Sequence, residues 1–319
     1  MKTNTTSATV ALIRRNVKMF FKDKGTFFTA LITPLILLVL YATFLNNVYK
    51  SSFLQVFEAI PTGIAVSDSI LDGLTGGLLL SSLLSVSTVT VSFCANLCMV
   101  QDKVTGARGD FDVSPVKPRS MALGYYLATA INGLIIGFSA TAVGLVYLAI
   151  VGWYLSALDV LALFGDVMLL VAFGTALSSL VCYPLKTQGQ LSAVGTIVSA
   201  GYGFVCGAYM PLSQFSEGVR SVMTFFPGTY GTSLLRNHAL QGACKALTAQ
   251  GFPSAVIDGI RDISDCNFYF FENQVQVWQM YLVLAAVTAA LVFAYVLLHT
   301  LKVKRKKKSK PVFKGAGMR

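Results

Sequence analysis

Residues 74–100 read LTGGLLLSSLLSVSTVTVSFCANLCMV, a long apolar stretch that contains no Lys or Arg. A helix needs about 20 apolar residues to cross a bilayer core of roughly 30 Å. A Lys or Arg at the centre of such a helix costs roughly 2.5–3.5 kcal/mol. The stretch therefore predicts a transmembrane helix. Five further stretches have the same two properties: Thr26–Leu45, Met121–Val151, Val160–Cys182, Leu191–Tyr209 and Val277–Leu301.

The composition agrees with this pattern. Of the 319 residues, 55% are hydrophobic and only 12% are charged, with a mean hydropathy of +0.66. Soluble domains are about one quarter charged, so these values exclude a soluble globular protein, a disordered chain and a small disulfide-rich domain. The first apolar stretch is too long for the core of a secretory signal, and no small-residue cleavage site follows it. We therefore predict an all-α polytopic membrane protein with six transmembrane helices.

The net charge of +11 is unevenly distributed along the chain. Of the 25 Lys and Arg residues, 20 lie in the two terminal segments and in the connections after the second and fourth predicted helices, and five lie in the other connections. The positive-inside rule then predicts a multi-pass protein of the cell membrane with both termini in the cytoplasm. The basic tail 302–319 fits this orientation and contact with anionic lipids, so nucleic acid is not predicted as a partner.

The segment Ala8–Lys24 is predicted to form an amphipathic helix on the membrane surface. Val10, Ile13 and Val17 recur at helical spacing on an apolar face. Its basic residues are Arg14, Arg15, Lys18 and Lys22. Such a helix buries its apolar face at the lipid boundary and attracts anionic headgroups. Simple anchoring and additional contact with a cytoplasmic partner remain equal alternatives.

Two connections are long enough to carry structure of their own. The segment 101–120 is predicted to be a short cytoplasmic connection, with Gly106 and Gly109 at turns or caps and Pro115 ending any helix. The segment 210–276 faces the opposite side. There the apolar spacing from Phe215 to Phe226 predicts an amphipathic helix, which breaks at Pro227-Gly228 before a second helix, Thr229–Leu240.

Several polar or small residues lie inside the predicted spans. A stripe on the second span consists of Ser81, Ser85, Thr88, Ser92 and Asn96. Hydroxyl groups in lipid bond neighbouring helices, so helix packing and a substrate pathway both stay open. Two rows of small residues predict close helix packing: Gly133, Gly137, Ala140 and Gly144, and Gly195, Ser199, Gly203 and Gly207. Asp166 is expected at the membrane interface; a deeper position would require a partner or water.

Motifs for catalysis and nucleotide binding are absent from the sequence. It contains no G-x-x-x-x-G-K-[ST], no H-E-x-x-H and no G-x-S-x-G. Two histidines cannot build a zinc site alone. Cys244 and Cys266 would pair only in an oxidising compartment, which leaves that disulfide open. We predict no catalytic residue, no metal site and no cofactor in this chain.

The sequence after the fifth predicted span resembles that of ABC transporter permeases of the type-2 export class. The resemblance rests on residues 207–212 (GAYMPL), residues 226–230 (FPGTY) and residues 234–236 (LLR). It also rests on Asp102, Gly106 and Ser114-Pro115 in the segment 101–120, on the N-terminal amphipathic helix and on the six spans. The chain has Gln101-Asp102 where the class often has Glu, and its segment 241–276 is longer than in many members.

The resemblance implies one transmembrane domain over residues 1–319: an interfacial helix (1–25), spans one to five (26–209), extracellular re-entrant helices that form a gate region (210–276), a last span (277–301) and a cytoplasmic tail (302–319). It implies a short coupling helix that contacts a separate ATPase. The coupling residues would be Asp102, Gly106, Arg108, Asp110, Ser114 and Pro115. The outer gate would include Tyr209, Pro211, Pro227, Tyr230 and Arg236.

The class implies export of a small amphiphilic or lipid-like substrate, such as a drug, antibiotic, lipid or glycan. Two permease chains, identical or different, would pair with two ATPase subunits that bind ATP and Mg. The surface helix Ala8–Lys24 would touch the same ATPase. Two alternatives remain: a stand-alone channel or ion-coupled carrier, favoured by the polar stripe and Asp166, and a membrane anchor or sensor in a resistance system.

Overall fold

The computed structural model describes residues 5–60, 63–114 and 116–308. Within this part the chain is almost wholly helical. Its helices are α1 (Thr5–Lys22), α2 (Lys24–Leu40), α3 (Asn46–Ala59), α4 (Asp68–Val104), α5 (Ala107–Val113), α6 (Pro118–Val151), α7 (Ala157–Cys182), α8 (Gln188–Val205), α9 (Glu217–Met223), α10 (Pro227–Ala249), α11 (Ser254–Ile263) and α12 (Val277–Lys308). A π-helical turn, Tyr41–Leu45, joins α2 to α3, and a 3-10 turn, Leu212–Gln214, precedes α9.

A small β-hairpin is among the elements of the described residues that the sequence did not predict. Its strands are β1 (Phe268–Phe270) and β2 (Asn273–Val275), and they pair antiparallel with Phe268 opposite Val275. Phe271, with a φ of +54°, lies in the turn between them. The hairpin leads directly into α12, so it fixes the point at which the last long helix begins.

Five helices of the described chain are long and apolar enough to span a membrane: Lys24–Ala59, Asp68–Val104, Pro118–Val151, Ala157–Cys182 and Val277–Thr300. They confirm an all-α polytopic membrane protein. The predicted span Leu191–Tyr209 forms α8, but this 18-residue helix is not among the five because two Gln and four Gly dilute its apolar residues. The predicted count of six spans is therefore not confirmed.

Helix α4 is the centre of the bundle. It packs against α2, α6, α7, α8 and α10, and its side chains are buried around almost the whole helix. Gly133 and Gly137 of α6 make the neighbouring contact with α7 possible, because an added Cβ would lie 2.8 Å from Val171 and 2.9 Å from Val167. The predicted close packing of this glycine row is confirmed. The second row of small residues does not extend along one helix as far as Gly207, because α8 ends at Val205.

The bundle has two distinct ends, which we call the α5 end and the α10 end. At the α5 end, Lys103 Nζ donates to the backbone carbonyls of Tyr183 and Leu185 at 2.8 and 3.0 Å, which joins α4 to the segment after α7. At the α10 end, α3 packs against α11, and Lys50 forms an ion pair with Asp72 at the start of α4. Helices α9 to α11 and the hairpin follow α8 at this second end.

Helix α1 is separate from the first long helix. Asp23 lies between α1 and α2. It caps α2, because its carboxylate accepts hydrogen bonds from the Thr26 backbone N–H and hydroxyl. These bonds hold the pKa of Asp23 below its ordinary value. Helix α1 rests on α6, where an added Cβ on Gly124 would lie 2.6 Å from Leu12. Helix α1 is thus docked onto the bundle, a contact that its amphipathic pattern did not predict.

Candidate functional site

Four helices meet at one ion pair at the α5 end. Arg15 of α1 donates from both terminal nitrogens to the two carboxylate oxygens of Asp102, each at 2.7 Å. The hydroxyl of Tyr125, on α6, donates to the same carboxylate at 2.5 Å. The Arg15 guanidinium carbon lies 5.3 Å from the ring centre of Phe111 on α5. We call Arg15, Asp102, Phe111 and Tyr125 the Arg15–Asp102 node.

The node is electrostatically strong because its acidic member is buried. The Asp102 side chain is 3% exposed, whereas that of Arg15 is 32% exposed. A bidentate arginine–carboxylate pair is among the stronger hydrogen-bonded pairs, and hydrogen bonding to Asp102 raises the pKa of the Arg15 guanidinium. Removing one partner of a buried pair typically costs 3–5 kcal/mol, since it strands the other charge. The node therefore fixes α1 to the end of α4.

Helix α5 forms the predicted short helix between α4 and α6. Gly106 is its N-cap residue and has a φ of +84°, a left-handed conformation that glycine adopts without strain. This confirms the predicted turn or cap at Gly106. The same prediction for Gly109 is wrong, because Gly109 lies inside α5. Ser114 ends the helix and donates from its hydroxyl to the Phe111 carbonyl at 2.8 Å.

The residues proposed for coupling occupy different environments. Asp102 is buried and bound within the chain, so it is not presented to a partner. Gly106 and Asp110 are exposed, and Arg108 is half-buried. Pro115 lies outside the described residues. The surface of this connection is therefore carried by α5, with Asp102 beneath it.

The basic residues of α1 divide between two faces. Arg14, Lys18 and Lys22 are exposed and form one row along the helix, spaced four residues apart. Arg15 is half-buried, and its guanidinium bonds within the node. The buried face of α1 consists of Leu12, Asn16 and Phe20, which contact the bundle. The sequence grouped all four basic residues together, and the tertiary structure separates them.

The polar stripe of α4 lies in packed interior. Ser85 Oγ is 2.6 Å from Thr232 Oγ1 of α10, and Asn96 Nδ2 donates to the hydroxyls of Ser178 and Ser179 on α7 at 3.2 and 3.0 Å. Ser81, Thr88 and Ser92 bond to carbonyls of α4 itself. Each residue of the stripe is at most 1% exposed. Of the two alternatives, helix packing fits this arrangement.

The segment predicted as outer gate contains a second buried ion pair. Arg236 donates from Nη1 to Asp265 Oδ2 at 2.6 Å and from Nη2 to the Gly207 carbonyl at 2.7 Å. The same Asp265 oxygen accepts from the Leu212 backbone N–H at 2.7 Å. The side chains of Arg236 and Asp265 are 1% and 7% exposed. These bonds join the end of α8, the 3-10 turn, α10 and the segment before β1.

The predicted outline of this segment is partly confirmed. Pro227 is the first residue of α10, where the missing N–H of proline costs nothing. The predicted second helix, Thr229–Leu240, is longer than expected, because α10 continues to Ala249. The predicted amphipathic helix from Phe215 to Phe226 is shorter than expected, since α9 covers only Glu217–Met223.

The other proposed gate residues pack around this ion pair. The Tyr209 ring lies against Gly203, where an added Cβ would be 2.4 Å from the ring. Pro211 is buried before the 3-10 turn. Tyr230 stacks on Phe268 of β1 with a centroid distance of 4.6 Å. The segment is thus a packed unit at the α10 end.

Asp166, which the sequence predicts at the interface, lies nine residues into α7 and is 1% exposed. Its carboxylate accepts a hydrogen bond from the Tyr281 hydroxyl of α12. Its second oxygen lies 2.7 Å from His238 Nδ1 of α10. This buried carboxylate therefore has the partners that a position within the membrane would require. Sequence spacing gave no signal for them, because His238 and Tyr281 are 72 and 115 residues away.

The cysteines contribute no cross-link in this structure. Cys244 and Cys266 are both free and buried, so the disulfide left open by the sequence is not formed. The residues that the structure describes contain no group of three or more His, Cys, Asp or Glu side chains that would hold a metal ion.

A comparison with protein-family models identifies the family of this chain. The model described as ABC-2 type transporter matches residues 7–239, which include α1, the Arg15–Asp102 node, α5 and the first half of α10. No curated protein matches the chain. The family match covers more than two thirds of the sequence. The chain therefore belongs to the ABC-2 type transporter family and is a permease, the transmembrane component of an ABC transporter.

Proposed function

We propose that this permease exports a small amphiphilic or lipid-like substrate from the cytoplasm, using ATP hydrolysed by separate ATPase subunits. Family membership supports the permease role. The chain's resemblance to type-2 exporters supports the outward direction. The distribution of 20 basic residues supports a plasma-membrane orientation with the α5 end and both termini in the cytoplasm.

The observation that carries this proposal is the Arg15–Asp102 node beneath the exposed helix α5. A displacement of α5 would act on Phe111 and Arg15 and, through Asp102, on the end of α4. Helix α4 in turn bonds to α10 through Ser85 and Thr232. A mechanical route therefore leads from an ATPase docked at α5 to the gate segment at the α10 end.

Two permease chains and two ATPase subunits form the proposed assembly. ATP and Mg would bind to the ATPase subunits, since this sequence has no P-loop. Apolar side chains remain exposed on α2 and α8, including Ile36, Val39, Ile197 and Phe204. Exposed apolar faces of this kind are available to lipid or to a second permease.

Cysteine cross-linking would test the ATPase contact. The variant Asp110→Cys places a thiol on exposed α5, and Lys245→Cys places one on the exposed α10 end as a matched control. Purified from its native membrane, the permease should carry an ATPase that cross-links to position 110 and not to position 245. Absence of any co-purified ATPase, or equal cross-linking at both positions, would contradict the proposal.

An ion-coupled carrier is the second candidate, and Asp166 is the observation that favours it. A buried carboxylate in contact with a histidine and a tyrosine can take up and release a proton. The two functions differ in their energy source. Efflux that survives ATP depletion but stops when the ion gradient is collapsed would support the carrier. Substrate binding without flux in vesicles would instead support an anchor or sensor.

A further inference from the structure

An apolar groove of about 1030 Å³ lies between α2 and α6, with α4 as its floor. We call it the α2–α6 groove. It extends from Phe21 and Phe27 near the α5 end to Tyr41 and Asn46 at the π-helical turn. Its walls belong to three helices that are long and apolar enough to span the membrane. The groove therefore lies within the hydrocarbon layer.

The floor of the groove is tightly closed. An added Cβ on Gly144 of α6 would lie 2.2 Å from Leu80 Cδ1 of α4, so the two helices are in direct contact there. The Tyr41 hydroxyl donates to Asn46 Oδ1 at 3.1 Å, which satisfies the main polar groups at the far end. What remains open is a long apolar surface that suits a hydrocarbon chain.

The near end of the groove adjoins a positive surface. Phe21 lines the groove and is 38% exposed, and Lys18 is its neighbour three residues earlier on the same face of α1. Arg14, Lys18 and Lys22 line a shallow depression along α1, to which Arg15 and Asp23 also contribute. All three are exposed, and none has a hydrogen bond or ion pair with another described residue. We call these three residues the basic row.

We propose that the basic row and the α2–α6 groove together bind one anionic phospholipid from the leaflet at the α5 end. The phosphate would pair with the basic row, and one acyl chain would lie past Phe21 along the groove. This places the lipid in the cytoplasmic leaflet if the proposed orientation holds. The site uses the exposed basic residues of α1, whereas Arg15 of the same helix is bound within the node.

The combination of the two features selects this occupant. An acidic surface of the ATPase would pair with the basic row but would leave the groove within the bilayer unfilled. A neutral lipid would fill the groove and leave three positive charges without partners. An anionic amphiphile with an acyl chain satisfies both, and the adjacent bilayer supplies it at high concentration.

Lipid titration of the purified full-length permease in a neutral detergent would test the site. The probes are phosphatidylglycerol and phosphatidylcholine with identical acyl chains, and the readouts are lipid retention by native mass spectrometry and the shift of the thermal midpoint. A basic residue near an anionic surface contributes roughly 1 kcal/mol. The double variant Lys18→Gln/Lys22→Gln should therefore bind phosphatidylglycerol about 30-fold more weakly, with phosphatidylcholine unaffected.

A matched control is the double variant Lys117→Gln/Lys186→Gln, which removes two exposed lysines at the same end of the bundle. It should retain wild-type affinity for phosphatidylglycerol. The proposal would be overturned if the wild-type protein bound the two lipids equally, or if both double variants lost the same affinity for phosphatidylglycerol. Unchanged phosphatidylglycerol binding in Lys18→Gln/Lys22→Gln would overturn the lipid assignment and leave the basic row to a protein partner.

The groove half of the site has its own pair of variants. Ser139→Phe fills the groove from an exposed position of α6, whereas Val146→Phe adds the same bulk on exposed α6 surface outside the groove. Ser139→Phe should lower retention of both lipids, and Val146→Phe should not. Unchanged retention in Ser139→Phe would show that no acyl chain occupies the groove. These measurements need neither ATPase nor substrate, so they fail or succeed independently of the proposed export function.

Discussion

The guanidinium of Arg15 holds the carboxylate of Asp102 through two parallel hydrogen bonds of 2.7 Å, although the residues are 87 positions apart. The pair joins a surface helix to the last turn of the most buried helix in the bundle. It lies directly beneath α5, so under the proposed function a displacement of α5 would reach the membrane domain through this pair.

Arg15→Gln should destabilise the protein strongly, because it leaves the Asp102 carboxylate buried without its charged partner. We expect the free energy of unfolding in detergent to fall by about 3–5 kcal/mol. Arg14→Gln, one residue away and exposed, should change it by less than about 0.5 kcal/mol. Adding Asp102→Asn to Arg15→Gln should recover part of the loss, and purely additive effects in this double-mutant cycle would refute the coupling.

Gly106→Ala should weaken coupling by straining the entry to α5. No atom lies within 4 Å of the added Cβ, so the cost comes from the φ of +84° alone and amounts to about 1–2 kcal/mol. Gly106→Pro should uncouple transport while leaving membrane insertion intact, because proline fixes φ near −65°. The measurement is ATP hydrolysis by the purified complex with and without substrate. Gly109→Ala, in open helical surface, should behave as wild type; normal coupling in Gly106→Pro would remove α5 from the mechanism.

Arg236→Met should destabilise the segment predicted as outer gate, which lies at the α10 end. The variant strands Asp265 in the interior and breaks the bond to the Gly207 carbonyl. Thermal unfolding should show that the free energy of unfolding falls by about 3–5 kcal/mol. Backbone hydrogen exchange should increase around residues 207–212. Arg220→Met removes an exposed arginine of α9 and serves as control. Equal exchange in the two variants would count against a structural role for the Arg236–Asp265 pair.

Asp166→Asn separates structural from transport roles of the Asp166 contacts. Loss of hydrogen bonds to a charged group should cost about 1–3 kcal/mol, while ATP-dependent efflux by the folded variant should persist. Tyr281→Phe, which removes a single donor, should cost less. A stable Asp166→Asn protein without any efflux would favour the ion-coupled carrier over the proposed exporter.

Local signals in the sequence predicted well where a single helix decides the outcome. The turn at Gly106 and the break between two helices at Pro227 both follow from backbone chemistry, and both are confirmed. Predictions that needed partners from elsewhere were less successful. Nothing in the sequence near Asp166 indicates that His238 and Tyr281 are its partners. The second helix, predicted to end at Leu240, continues to Ala249, because the sequence signal for this extension is weak.

The sequence by itself determined the class of this protein. Long apolar stretches without Lys or Arg must be helices in a membrane, since only internal hydrogen bonding satisfies a backbone in lipid. The tertiary structure alone decided which polar residues face inward. Arg15 separates from Arg14, Lys18 and Lys22 because a carboxylate 87 residues away lies next to it. A buried charge is retained only beside its partner, and distant partners are brought together by packing, which local periodicity does not encode.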